Sequence, residues 1–163
     1  MSNAAANTES KLRRLRPTDL ERVIVIDWGH TGEPRRGFFE KRLAQARERP
    51  ENYVQVGVAR DGELVGFAFT RIQRGEFGRE QIIATLDAVG VMVGSREIGV
   101  GHALMGGLTK ALCQQGVRSP QSQADWTNLG LLRFFDASGF RLAPRLVLER
   151  SVLTPLPEAV DGD

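Results

Sequence analysis

The chain has 163 residues, 41% of them hydrophobic, and its 22 Lys and Arg against 20 Asp and Glu leave a net charge of only +2. That size and apolar content suit one domain around one core. Cations interleaved with acids, as in Glu40-Lys41-Arg42 and Arg47-Glu48-Arg49, make a solvated helix face and exclude a nucleic-acid footprint. A single cysteine excludes an internal disulfide and suits a reducing, cytoplasmic compartment. No apolar run nears the ~20 residues of a membrane span, and the small polar residues of 1–10 are no secretory signal. Residues 1–10 and 153–163 are expected to be loosely ordered tails, with 11–152 a single domain.

Leu12 to Leu20 read as a strand running into a helix capped by Thr18 or Asp19. Residues 20–27 have helical character despite their β-branched side chains. A loop is expected over 28–34, then a helix over 38–49 that stops before Pro50. Strands at 53–59 and 63–72 flank Asp61-Gly62, a two-residue hairpin signal because both positions tolerate positive φ. A break at 74–78 precedes a long apolar strand, 81–93. Gly90 inside it suggests a bulge or a close backbone approach. The helix over 102–115 spaces Ala103, Leu104, Leu108, Ala111 and Leu112 for one buried face. A short strand (121–126), a helix (129–137) and a last strand (146–152) complete the chain. A meander followed by crossover helices predicts an α/β (α+β) fold, a mixed sheet with helices on both faces.

Chemistry concentrates between the long strand and its helix, at Arg96-Glu97-Ile98-Gly99-Val100-Gly101. Two glycines at a strand-to-helix turn let the backbone approach a ligand closely, and the first N–H groups of the helix have no intrahelical partners. Such a terminus attracts anions, and Arg96 adds a full positive charge, so a phosphate or pyrophosphate is the simplest ligand. A P-loop would continue with Lys-Ser or Lys-Thr, where this chain has His102-Ala103. A dinucleotide fingerprint would place a third glycine where Leu104 stands.

The remaining pattern, Arg-x-x-Gly-x-Gly after a strand, resembles the pyrophosphate loop of the GCN5-related N-acetyltransferases (GNAT). Asn128 and the run Leu131-Leu132-Arg133-Phe134-Phe135-Asp136-Ala137-Ser138-Gly139-Phe140 resemble that family's second marker, and the likeness spans roughly 12–150. The resemblance implies a mostly antiparallel sheet of six to seven strands, splayed between the fourth and fifth. It implies an acetyl-CoA-dependent enzyme that transfers acetyl directly to a primary amine of a small molecule or a protein terminus.

On this likeness Val89, Val91, Met92 and Val93 bind the coenzyme's pantetheine arm, and an N–H near Val91 polarises the acetyl carbonyl. Arg96, Glu97, Ile98, Gly99, Val100, Gly101 and His102 hold the pyrophosphate. Asn128 bonds the arm or caps the helix after it. Phe135 stands by the arm, where many relatives carry a proton-donating tyrosine, and Gln123 where some carry a catalytic glutamate. Trp28, His30 and Phe38 are candidates for the acceptor pocket. Asp87, a carboxylate within an apolar strand, is the candidate base. Its alternative is a structural partner to an arginine, and Asp125 and Glu97 are other candidates. Two histidines are too few for a metal site, and no metal, nucleic acid or membrane is expected. A homodimer is what the family implies. Phe135 and Gln123 leave open a non-catalytic acyl-CoA-binding or sensor domain, or an interaction domain that has lost the cofactor.

Overall fold

Apolar residues alternate along the central strands and so sort into two cores, one on each face of a sheet. The computed structural model describes residues 10–75, 78, 80–95 and 99–155. Its elements run β1 (Lys11–Arg14), α1 (Leu20–Thr31), α2 (Arg36–Glu48), β2 (Tyr53–Arg60), β3 (Glu63–Arg74), β4 (Ile82–Val91), α3 (Val100–Gln114), β5 (Pro120–Gln121) and α4 (Leu129–Ala137). The strands lie in sequence order, antiparallel from β1 to β4, with β5 parallel to β4. Asp61 (φ 49) and Gly62 (φ 81) turn β2 into β3 with positive φ at both positions, as the hairpin signal requires.

One face carries Val54, Val56, Val58, Ala68, Leu86 and Val91 against Leu104, Leu108 and Leu112 of α3 and Phe135 of α4. The other carries Leu64, Phe67, Phe69 and Ala88 against Val23 and Ile26 of α1 and Phe39 of α2. Phe39, Phe67 and Phe69 form a fully buried triad with ring centroids 5.5, 5.6 and 5.7 Å apart. Each such ring contributes roughly 1.5–3 kcal/mol of burial.

The long third helix and the meander follow the sequence expectations closely, and other features differ. The sheet has five strands among the described residues, not six or seven. Residues 146–152 form no strand, and the strand expected over 121–126 is only Pro120–Gln121. The first helix runs on through Trp28, Gly29 and His30, which are its last turn and not a loop, and closes on Gly32 in the left-handed region (φ 69). Burial of Val23, Ile24 and Ile26 against the sheet overrides their weak helix propensity.

Gly90 keeps regular register opposite Phe67, and the bulge falls instead at Asp87, the extra residue between Leu86↔Thr70 and Ala88↔Phe69. A Cβ on Gly90 would come within 2.8 Å of the Phe67 ring and 3.1 Å of Ile26, so the glycine lets α1 lie close over the strand.

Buried ion pairs fix α1. Asp19 gives no side-chain cap to the helix. It receives both guanidinium nitrogens of Arg13 at 2.7 Å and the Arg16 N–H at 2.7 Å. Burial alone would push its carboxyl up; the Arg13 and Arg16 hydrogen bonds outweigh that and hold it below the usual carboxylate value. Further along, buried Asp27 takes a bidentate pair from Arg35, whose guanidinium lies over the Phe38 and Phe39 rings.

Candidate functional site

The two ends of β4 have different neighbours. At its start it pairs on both edges, with β3 and with β5 (Ala84↔Pro120, Thr85↔Gln121). The Ser122 hydroxyl then donates to the Leu86 carbonyl at 2.9 Å, and past that bond the chain after β5 makes no further pairing with β4 among the described residues. Met92 N–H donates to Val65 C=O at 2.8 Å. In an antiparallel ladder that bond sets the phase: Val91, and Val89 two residues before it, turn their N–H and C=O away from β3.

That edge opens on a cavity of about 220 Å3. Val89, Gly90 and Val91 form one wall, Gly101 of α3 another, and Gly130, Leu131 and Phe134 of α4 a third. His30, in the last turn of α1, closes it from the far side of the strand. Its Nε2–H donates to the Val91 carbonyl at 2.7 Å. A carbonyl only accepts, so that ring nitrogen carries the proton.

Gly99 starts α3 from the left-handed region (φ 72), where an L side chain is strained. The first helical bond runs from Ala103 N–H to Gly99 C=O at 2.9 Å. The N–H groups of Val100, Gly101 and His102 therefore lie ahead of the intrahelical ladder. Among the described residues no side-chain cap answers them and no acid lies in the first turn, so the positive end of the dipole points there without a described counter-charge. Gly101 serves a second purpose. A Cβ there would meet the Phe134 ring at 3.1 Å, so its absence lets α4 close the cavity. Arg96, Glu97 and Ile98 lie outside the described residues.

The other candidates divide. Met92 is half-buried between both cores and Val93 is exposed. Asn128 caps α4, its side chain accepting the Leu131 N–H at 3.1 Å. Phe135 turns into the core against Phe140, and its neighbour Phe134 is the ring that lines the cavity. Trp28 is 57% exposed, and Phe38 packs on Phe39 beneath Arg35 and Arg42; neither lines the cavity. Gln123 is exposed. Asp125 is exposed too, and the N–H and hydroxyl of Thr127 hold its carboxyl below the usual value.

Asp87 sits at the bulge. Two successive residues can then face the same side, and Asp87 joins Ala88 on the α1/α2 face. Its carboxylate pairs with Arg42 of α2 at 3.1 Å and Arg71 of β3 at 3.5 Å. An arginine partner was the alternative expected of it.

Phe134, Leu131 and Gly130 were not singled out from the sequence. Their signal was there in the helical spacing of Leu131 and Phe134, which puts both on one face of α4. Among the described residues no group of His, Cys, Asp and Glu could hold a metal ion. No helix among them is long and apolar enough to cross a membrane.

The profile of the acetyltransferase (GNAT) family matches residues 15–140. Among solved structures, the aminoglycoside N-acetyltransferase AAC(6')-Iy in complex with CoA superposes with a TM-score of 0.72 at 18% identity, over 91% of this chain and 98% of that one. A ribosomal-protein-alanine N-acetyltransferase from Brucella melitensis biovar Abortus 2308 gives 0.69 at 17% identity, over 88% and 100%. An acetyltransferase from Trypanosoma brucei gives 0.66 at 23%, again over 88% and 100%. Among curated proteins no sequence matches this chain.

Proposed function

The chain belongs to the acetyltransferase (GNAT) family, and from that premise we propose that it transfers acetyl from acetyl-CoA directly to a primary amine of a small molecule or a protein terminus. The observation that carries this reading is the half-paired end of β4. Main-chain groups of Val89 and Val91 face a cavity whose far wall is the uncapped first turn of α3. An extended pantetheine arm can join that edge as an added strand. Its pyrophosphate then meets the N–H groups of Val100, Gly101 and His102. Met92 and Val93 flank the arm, and Asn128 offers its side chain from the start of α4. AAC(6')-Iy is known with CoA and with a bisubstrate analogue, CoA-S-monomethyl-acetylneamine, which supports acetyl-CoA as cosubstrate and an amine as acceptor.

In the step proposed, the amine nitrogen attacks the thioester carbonyl, the C–N bond forms, and the C–S bond breaks. Main-chain N–H groups along the Val89–Val91 edge stabilise the oxyanion between. Asp87 takes the amine proton through water, and its pairs with Arg42 and Arg71 hold the carboxylate in one orientation. The acceptor approaches past His30 and the exposed Trp28, with Phe38 behind them. Phenylalanine at 135 donates no proton, so the departing thiolate takes one from water. The setting proposed is cytoplasmic, where the exposed Cys113 stays reduced.

A second reading, a non-catalytic acyl-CoA-binding or sensor domain, rests on the lack of a proton donor at position 135. Release of free CoA thiol across a panel of primary amines separates the two. The enzyme reading expects amine-dependent release with at least one acceptor. Saturable acetyl-CoA binding with no release on any amine would establish the sensor.

A further inference from the structure

Two arginines converge on the single carboxylate of Asp87. Arg42, from α2, sets Nη2 3.1 Å from Oδ2, and Arg71, from β3, sets Nη2 3.5 Å from Oδ1. Neither guanidinium has another carboxylate partner among the described residues, so the cluster keeps one positive charge in excess. Its other neighbours are neutral. Arg42 Nη1 donates to Gln45 Oε1 at 3.0 Å, and the Tyr53 hydroxyl donates to the same oxygen at 3.2 Å. Phe38 lies against the Arg42 guanidinium, 5.2 Å from ring centroid to Cζ, and Thr85 stands opposite Arg71 in the sheet.

Two donors of this cluster are unused. The Nε–H groups of Arg42 and Arg71 are buried and have no hydrogen-bond partner among the described residues. Arg71 is held the more loosely, since 3.5 Å exceeds an ordinary N–H···O bond, and its side chain is 36% exposed. Buried donors without acceptors cost stability, and the fork of a guanidinium is matched by a carboxylate.

The cluster also lies on the path of an incoming amine. Asp87 is two residues before Val89 of the cavity wall, on the sheet face covered by α1 and α2. The same α1 carries His30, which closes the cavity from that side.

We propose, resting on the acetyl-transfer reading above, that Arg71 and Arg42 bind a carboxylate of the acceptor, which is therefore an amino-acid-like amine. Its carboxylate takes the unused guanidinium donors. Its nitrogen, one carbon away, falls beside Asp87, the group proposed to take the amine proton. Charges then match: two cations and one anion of the protein meet an acceptor carrying one of each sign. A polycationic amine meets the wrong sign, because the one carboxylate of the cluster is already neutralised.

The test is release of CoA thiol from acetyl-CoA with the protein amino acids, each beside its α-amide. The wild type is expected to use at least one amino acid with kcat/KM about tenfold or more above that of its amide. Arg71→Gln is expected to raise KM for that amino acid about ten- to a hundredfold, as loss of a hydrogen bond to a charged group does. KM for the amide should stay unchanged. Arg71→Lys keeps the charge without the fork and is expected to fall between, which reads the site even if Arg71→Gln unfolds. An arginine that merely steadies Asp87 would lower kcat on acid and amide alike, and that result would overturn the proposal. Calorimetric titration of each amino acid into the protein saturated with CoA reads binding without turnover. Release on amines with no preference for a carboxylate would overturn the proposal and leave acetyl transfer standing. Carboxylate-dependent binding with no release on any acceptor would keep the arginine site and remove acetyl transfer. Neither binding nor release would overturn both.

Discussion

The two halves of β4 share one strand and have different surroundings. From Ile82 to Leu86 it is flanked by β3 and β5 and lies over α3, with Ala84 and Leu86 buried. From Val89 to Val91 it is paired on one edge only, and the other edge faces the cavity. Asp87 marks the change, bulged out of register and tied to Arg42 and Arg71. The contrast separates stability from binding: the closed half holds the fold, and the open half turns main-chain groups of Val89 and Val91 away from the ladder, where a ligand can reach them. α1 joins the halves by carrying His30 to the Val91 carbonyl.

Mutations can break this contrast from either side. Leu86→Ala empties a buried site in the closed half and is expected to cost about 2–5 kcal/mol of unfolding free energy. The folded fraction should still bind acetyl-CoA normally, and denaturant titration with and without the coenzyme checks both. Asp19→Asn acts on α1. Leaving Arg13 without its partner is expected to cost about 3 kcal/mol at pH 7.

That second loss depends on pH with a definite sign. The folded-state value of Asp19 is lowered, so its stabilisation is fully present above the unfolded value of about 3.9. It is lost as pH falls through the folded value. The gap between wild type and Asp19→Asn should therefore close in strong acid, as urea melts at pH 7 and below pH 3 would reveal. An equal gap at both would mean that the Arg13 pair contributes nothing.

At the junction, Asp87→Asn is expected to lower turnover about a hundredfold with acetyl-CoA affinity near normal. An unchanged rate would leave Asp87 as a structural partner of Arg42 and Arg71 alone. The smallest change in free energy falls on the open half, where acidic substitutions at Gly99 and Gly101 are expected to weaken acetyl-CoA at least tenfold, about 1.4 kcal/mol.

Local signals in the sequence were read correctly where local physics decides. Asp61-Gly62 needs positive φ and has it, and the glycines at 99 and 101 mark a helix start that the structure leaves uncapped. Features fixed by distant partners were not legible. The reason for Gly90 is the Phe67 ring and Ile26, brought over it by other elements. Spacing aligned position 135 with the family's aromatic residue, but a helix turns about 100° per residue, so Phe134 reached the cavity and Phe135 the core. Residues 146–152 read as a strand, and a strand forms only where an edge receives it.

Calorimetric titration of acetyl-CoA into wild type, Gly99→Asp and Gly101→Asp tests the central claim most directly. If the amides that open α3 receive the coenzyme's diphosphate, a carboxylate at either position occupies and repels that site. Both variants should then bind at least tenfold more weakly than wild type. Equal affinity in all three proteins would contradict the account.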